Sequence, residues 1–273
     1  MIYVASDLHG HYDKYLAMLE AISFKPTDTL YILGDVIDRG PDGCKILLDM
    51  MSRPNVIPIL GNHELIAAVC LPWLLKEVTD QSLAALSEDQ IATLSEWITN
   101  GGGPTLRILK QLRQEEREKI LEYIRDMELY AEVTAGGRSF VLVHAGLEHF
   151  SPEKPLEDHN LQDFLFARPS PHQVYYENWY LIYGHTPTPL LHQQMREPPA
   201  NDIIRRGMQI AIELRLRLRR AAGMPVSGYS GGILRVKRML VQWIIPRLPS
   251  RNPHKAAGDT MNDRWGPRSF ADR

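Results

Sequence analysis

Three short apolar runs, Ile2–Ser6, Thr29–Leu33 and Val56–Leu60, alternate with two segments whose apolar residues recur at helical spacing, Tyr12–Ile22 and Gly43–Met51. This β-α-β-α-β order predicts a layered α/β domain with a largely parallel sheet, because a crossover helix brings the next strand alongside in the same direction. Each run ends in a loop of glycines and polar side chains: Asp7-Leu8-His9-Gly10, Gly34–Gly40 and Gly61–Glu64. Ligands of open α/β sheets bind beyond the carboxyl ends of the strands, so the three loops are expected on one rim.

Residues 65–127 read as mostly helical, an insertion or cap on that domain. Leu65–Leu75 is apolar enough for a buried helix despite Pro72, and Asn100-Gly101-Gly102-Gly103-Pro104 predicts a sharp break. Ala131–Thr134 and Ser139–Val143 read as a strand pair joined through Gly136-Gly137, which His144-Ala145-Gly146 closes. A further apolar run, Trp179–Tyr183, leads into Gly184-His185-Thr186-Pro187. After about residue 212 the character changes: Leu214–Arg220 alternates leucine with arginine, and residues 249–273, rich in Pro, Arg, Asp and Asn, predict a disordered tail.

Apolar residues make up 44% of the 273, enough for a sizeable core, and the formal net charge of −2 argues against a broad nucleic-acid surface. Cys44 and Cys70 lack CxxC spacing, which disfavours a disulfide framework or a cysteine-ligated zinc and suits buried thiols in a reducing cytoplasm. The start of the chain lacks a signal-peptide pattern, and no apolar run reaches bilayer length. The expectation is a cytoplasmic protein with neither nucleic-acid nor membrane partner; nothing in the sequence sets its oligomeric state.

The loops carry Asp7, His9, Asp35, Asp38, Arg39, Asn62, His63, His144 and His185. Carboxylate, imidazole and amide oxygen together suit a borderline divalent metal such as Mn²⁺, Fe²⁺ or Zn²⁺. The histidines argue against an all-oxygen calcium cage. Taken singly, each loop reads as an ordinary turn. Five of them, each directly after a predicted strand, are what a site assembled from strand ends requires.

These pieces, Asp7-x-His9-Gly10, Gly34-Asp35-x-x-Asp38-Arg39-Gly40, Gly61-Asn62-His63-Glu64, His144-Ala145-Gly146 and Gly184-His185, resemble the signature series of the calcineurin-like metallophosphoesterases. More narrowly, Asp38-Arg39-Gly40 and His63-Glu64 resemble the PPP-family serine/threonine protein phosphatases in their compact bacterial and phage form, as does Asn100-Gly101-Gly102. Symmetrical diadenosine tetraphosphate hydrolases are similar. The resemblance covers residues 1–212 and implies one catalytic domain: a metallophosphoesterase core, a β-sandwich flanked by helices, with the helical cap at about 65–127. It implies two divalent ions, manganese being expected and iron or zinc the alternatives. Asp7, His9 and Asp35 would hold the first, and Asp35, Asn62, His144 and His185 the second. His63 would be the general acid and Asp38 its orienting carboxylate. Arg39 would bind phosphate, with Asn62 and a second arginine, for which Arg168 is the candidate. The implied activity is hydrolysis of phosphoserine or phosphothreonine in a phosphoprotein substrate by a metal-bridging hydroxide. Hydrolysis of dinucleoside polyphosphates is the alternative, and an inactive phosphate-binding protein a third reading.

The family pattern continues with an Asp-Cys/Thr-Gly turn and a Gly-Gly closing strand. Here Ile210-Ala211-Ile212 passes instead into Glu213-Leu214-Arg215. Codons exist for which loss of one base in the Glu213 triplet restores Asp-Cys-Gly and a Gly-Gly run. Residues 213–248 are therefore read as a divergent segment with a disrupted frame at or near Glu213. Missing last strands would leave an unpaired sheet edge near His185.

Overall fold

Strands β1 (Ile2–Ala5), β2 (Thr29–Leu33) and β3 (Val56–Ile59) form a parallel sheet in that order, in a computed structural model that describes residues 1–75, 81 and 84–213. Helices α1 (Tyr12–Ala21) and α2 (Gly43–Met51) make the two crossovers. Ala5 pairs with Ile32 and Leu33 with Ile59, so the strands end level and their loops emerge side by side.

The second sheet contains β4 (Tyr130–Ala135), β5 (Arg138–Val143), β6 (Trp179–Tyr183), β7 (Ile204–Arg206) and β8 (Gln209–Ala211), in the order β4-β5-β6-β8-β7. β4 and β5 form a hairpin whose two turn residues, Gly136 and Gly137, both have positive φ (56° and 71°). That is the primed turn whose twist matches its flanking strands. β5, β6 and β8 run parallel.

The two sheets stack face to face, as period-two burial shows. Phe140 and Leu142 of β5, Tyr180 and Ile182 of β6 and Ile210 of β8 share a cluster with Leu33 and Ile59 of the first sheet. Their neighbours Val141, Val143, Leu181, Tyr183 and Ala211 belong to the larger cluster, with Phe164 and Leu165 of α7 (Leu161–Leu165) and Leu191 of α8 (Thr188–Gln194). In β1, Tyr3 and Ala5 face that larger cluster and Ile2 and Val4 the inter-sheet one. The result is a β-sandwich flanked by helices.

The helical segment comprises α3 (Asn62–Leu74), α4 (Glu88–Trp97), α5 (Gly103–Leu109) and α6 (Gln114–Arg125). It is no detached cap. Leu65, Leu94, Trp97, Leu109, Ile120 and Ile124 join the cluster that holds Tyr3, Leu30 and Ile32. α3 runs through Pro72. The break expected at Asn100–Pro104 is a kink: the chain stays helical through a π-helical turn, Ile98–Gly102, and Gly101 alone leaves helical geometry (φ 110°).

Among the described residues, the strand that leads to His185 is not an edge of the sheet. β6 lies between β5 and β8, and β7 forms the edge, with Arg205 and Arg206 exposed on it. Beyond Glu213, the divergent segment and the tail lie outside the described residues. Among the described residues, no helix is long and apolar enough to cross a membrane, and both cysteines are buried and unbridged.

Candidate active site

The loops that follow β1, β2, β3, β5 and β6 converge on one rim, and their backbones are strained there. Of nine non-glycine residues with positive φ among those described, six are Asp7, His9, Asp35, Asp38, Arg39 and His185. Such conformations persist only where surrounding bonds over-determine them, and they cluster at functional sites. Here the loops brace one another. The N–H groups of Asp7, His9 and Gly10 donate to the carbonyls of Gly34, Asp35 and Val36 (3.1, 2.8 and 2.7 Å). Glu64, fully buried in the first turn of α3, accepts from the N–H groups of Asp35 (2.7 Å), Val36 (2.8 Å), Ile37 (3.1 Å) and Gly61 (3.2 Å). Burial and the nearby Asp35 charge push its carboxyl up to about 7, against these four donors that favour the ionised form.

Asp35 stands between two clusters of ligating atoms, one with His9 and His63, the other with His144 and His185. Its Oδ2 lies 3.7 Å from His9 Nε2 and 3.8 Å from His63 Nε2, and its Oδ1 lies 3.5 Å from His144 Nε2. Burial alone would raise its pKa. The imidazoles of His144, His63, His9 and His185 together hold it well below the usual carboxylate range. Asp7 is pushed up to about 6 by burial and by the Asp35 charge, which outweigh the opposing His144 imidazole and the hydrogen bonds from Ser6 and His185. His185 Nα–H donates to Asp7 Oδ2 (3.2 Å), which ties the β6 loop to the β1 loop.

His9 and His185 are set up as neutral ligands. Burial, with Arg39 and His63 nearby, lowers His9 to about 3; burial and His144 lower His185 to about 2. His9 Nδ1–H donates to the Ile37 carbonyl (3.1 Å) and His144 Nδ1–H to the Leu33 carbonyl (2.7 Å), so both Nε2 lone pairs face inward. His144 Nε2 then meets Asn62 Oδ1 at 2.9 Å and His185 Nδ1 at 3.1 Å. A lone pair facing a carbonyl oxygen at that distance is repulsive unless a cation is shared between them. Asp7 Oδ1 and His185 Nε2 are buried without any hydrogen-bond partner. The donor set therefore fits divalent metal on both sides of Asp35.

His63 is oriented by Asp38: its Nδ1–H donates to Asp38 Oδ2 at 2.7 Å, and both side chains are buried. Burial opposes protonation of His63, but Asp35 and Asp38 outweigh it and raise its pKa. Arg39 spans the Nε2 atoms of His9 and His63, 3.0 Å from the latter. Arg168 lies on the opposite side, where its Nη1 donates to Thr186 Oγ1 (3.0 Å) beside His185. All the residues singled out in the sequence thus reach one rim.

Sequence reasoning missed Trp97, Thr105 and Glu213. Trp97 Nε1–H donates to Asp38 Oδ2 (2.8 Å) and Thr105 Oγ1–H to Asp38 Oδ1 (2.6 Å). Their one signal was proximity to Asn100-Gly101-Gly102. Glu213 is buried, its carbonyl accepting from the Thr188 N–H (2.9 Å), with Oε2 unpartnered; burial and the charges of Asp7 and Asp35 raise its pKa well above the ordinary glutamate value.

The calcineurin-like phosphoesterase family profile matches residues 1–211. The chain belongs to that family. Among curated relatives of this phosphoesterase, the symmetrical bis(5'-nucleosyl)-tetraphosphatase of Acidovorax sp. (strain JS42) is 27% identical over 148 residues, 54% of this chain and 44% of the relative. The enzyme of that name from Wigglesworthia glossinidia brevipalpis is 34% identical over 113 residues, 40% of each chain. The phosphoesterase thus spans less than half the length of these relatives. A metallophosphoesterase structure from Sphaerobacter thermophilus aligns with 78% of this chain and 76% of its own, at 14% identity and a TM-score of 0.43.

Proposed function

We propose that the chain is a metal-dependent hydrolase of dinucleoside polyphosphates. Its membership of a phosphoesterase family sets the reaction class. The finer substrate rests on one observation: the curated relatives carry the name symmetrical bis(5'-nucleosyl)-tetraphosphatase. This displaces the protein phosphatase that the Asp38-Arg39-Gly40 and His63-Glu64 motifs first suggested. That activity, with a phosphoprotein substrate, remains the second reading because those motifs stand intact at the rim.

Asp7, His9 and Asp35 would hold one ion, and Asp35, Asn62, His144 and His185 the other, with manganese the proposed metal. Bound there, the ions supply Lewis acidity and lower the pKa of water. The protein's own groups supply the rest. Arg39 and Arg168, one on each side of the histidine clusters, bind non-bridging phosphate oxygens as planar forks. On substrate binding, Arg39 transfers its bonds from the imidazoles to phosphate, which frees His63 Nε2. His63, with Nδ1–H committed to Asp38, delivers a proton from Nε2 to the departing oxygen.

The test compares diadenosine tetraphosphate with a phosphoserine peptide, each with Mn²⁺ and after chelation. Metal-dependent turnover with a higher kcat/KM for the dinucleotide is expected. A preference for the peptide would replace the first reading with the second.

A further inference from the structure

The segment from Trp97 to Thr105 grips the Asp38–Arg39 dipeptide from one side. Asp38 Oδ2 accepts from both His63 Nδ1 (2.7 Å) and Trp97 Nε1 (2.8 Å), and Oδ1 accepts from Thr105 Oγ1 (2.6 Å). Thr105 Oγ1 also accepts from the Asp38 N–H (3.0 Å), so one hydroxyl bonds both the main chain and the side chain of this residue. The Arg39 N–H donates to the Gly101 carbonyl (2.8 Å), and a Cβ at Gly101 would lie 2.8 Å from Arg39 Cγ. Asp38 and Arg39 are consecutive non-glycine residues with φ of 69° and 63°. Bonds from 59 and 67 residues away hold this strained pair in place. All the partners are buried: Trp97 and Asp38 at 0% exposure, His63 and Thr105 at 3%.

An indole N–H can only donate, and the threonine hydroxyl that accepts from Asp38 N–H has its one proton left for Oδ1. Asp38 is therefore held as an acceptor on both oxygens in a single rotamer. His63 Nδ1 must then donate, and Nε2 is left as the atom that carries a proton to the reaction. Without Trp97 or Thr105, Asp38 has fewer anchors, and the imidazole axis loosens with it.

The geometry points to Trp97 and Thr105 as positioning residues for general-acid catalysis, through which the helical segment sets the aim of the His63 proton. This rests on the phosphoesterase reading of the site. Neither residue touches substrate. Their effect should scale with how much the leaving oxygen needs a proton, which a merely structural role would not do.

The experiment uses the full chain with Mn²⁺ and two esters, p-nitrophenyl phosphate and phenyl phosphate; the second has the far more basic leaving oxygen. Thr105→Val and Trp97→Phe each remove one donor to the Asp38 carboxylate, and Thr105→Val also removes the acceptor of the Asp38 N–H. General acid catalysis contributes roughly 10²- to 10⁴-fold, and partial misalignment forfeits part of that, so kcat for phenyl phosphate should fall about 10- to 100-fold. For p-nitrophenyl phosphate the fall should stay within about threefold, since a good leaving group gains little from protonation. Metal content should not change. Ile124→Ala, a buried truncation in α6 rather than in the helix that carries Thr105, controls for destabilisation and should leave the ratio of the two rates at the wild-type value. Equal losses on both esters in Thr105→Val and Trp97→Phe, or no loss on either, would overturn the positioning role. Absence of hydrolysis of both esters and of diadenosine tetraphosphate by the unaltered protein would instead overturn the reading on which it rests.

Discussion

Glu64→Gln tests whether a single buried carboxylate organises the rim. In the wild type, Oε1 accepts from Val36 and Ile37 and Oε2 from Asp35 and Gly61. A glutamine keeps a carbonyl oxygen on one side and presents an NH₂ to two N–H groups on the other. Two buried donors lose their acceptor, at about 1–3 kcal/mol each, so a loss of roughly 2–6 kcal/mol is expected where no charge effect offsets it. The offset depends on pH. Burial and Asp35 raise the Glu64 pKa from 4.5 to about 7, so its contribution to stability is fully present below pH 4.5 and is lost as pH rises through 7. At about 1.4 kcal/mol per pH unit, the wild type loses about 3 kcal/mol over that window, and glutamine, which does not titrate, loses none. The variant should therefore be destabilised at pH 4.5, where the hydroxyl oxygen of the protonated Glu64 still accepts from an N–H that an amide NH₂ cannot serve, and by about 3 kcal/mol less at pH 8. Denaturant unfolding of chelator-treated protein at the two pH values measures both numbers. A destabilisation that does not change with pH would refute the charge argument; one below about 0.5 kcal/mol at pH 4.5 would refute the bracing role.

Three further perturbations separate the parts of the site. His63→Asn should lower turnover roughly 10²- to 10⁴-fold while metal content, read by elemental analysis, stays near wild type; parallel loss of metal would remove His63 from the acid role. Asp35→Asn neutralises the anion shared by both clusters and should weaken both ions by roughly 10-fold or more in calorimetric titration, whereas full occupancy would contradict a bridging carboxylate. Gly101→Ala places a Cβ 2.8 Å from Arg39 Cγ at a φ of 110°, so a loss of about 1–3 kcal/mol in unfolding and a raised KM are expected; an unchanged KM would mean that Arg39 does not depend on this contact for its aim.

Much of the architecture was legible locally. β2, α2 and β6 have the ends that their apolar patterns suggested, because periods of two and 3.6 are properties of consecutive residues. The Gly136-Gly137 turn was equally readable, since a two-residue hairpin asks for positive φ at both positions. β7 was not, because Ile204–Arg206 is too short to show a pattern. At Asn100–Pro104, glycine and proline promised a break, but the indole of Trp97 packed against Gly102 and the helix carried on with a kink.

For the site, the sequence by itself determined which groups sit at the strand ends: Asp7, His9, Asp35, Asn62, His63, His144 and His185 each follow directly from a strand or lead its loop. Only the tertiary structure decided how they are held. Asp35 lies between two histidine clusters because strand register and sheet stacking bring His144 and His185 across to it. Glu64 braces the loops after β2 and β3, and Trp97 and Thr105 clamp Asp38, through bonds between residues far apart in the chain. A hydrogen bond between distant groups leaves no periodic trace along a sequence. Which buried donor meets which carboxylate is settled when the layers pack and each polar group inside must find a partner.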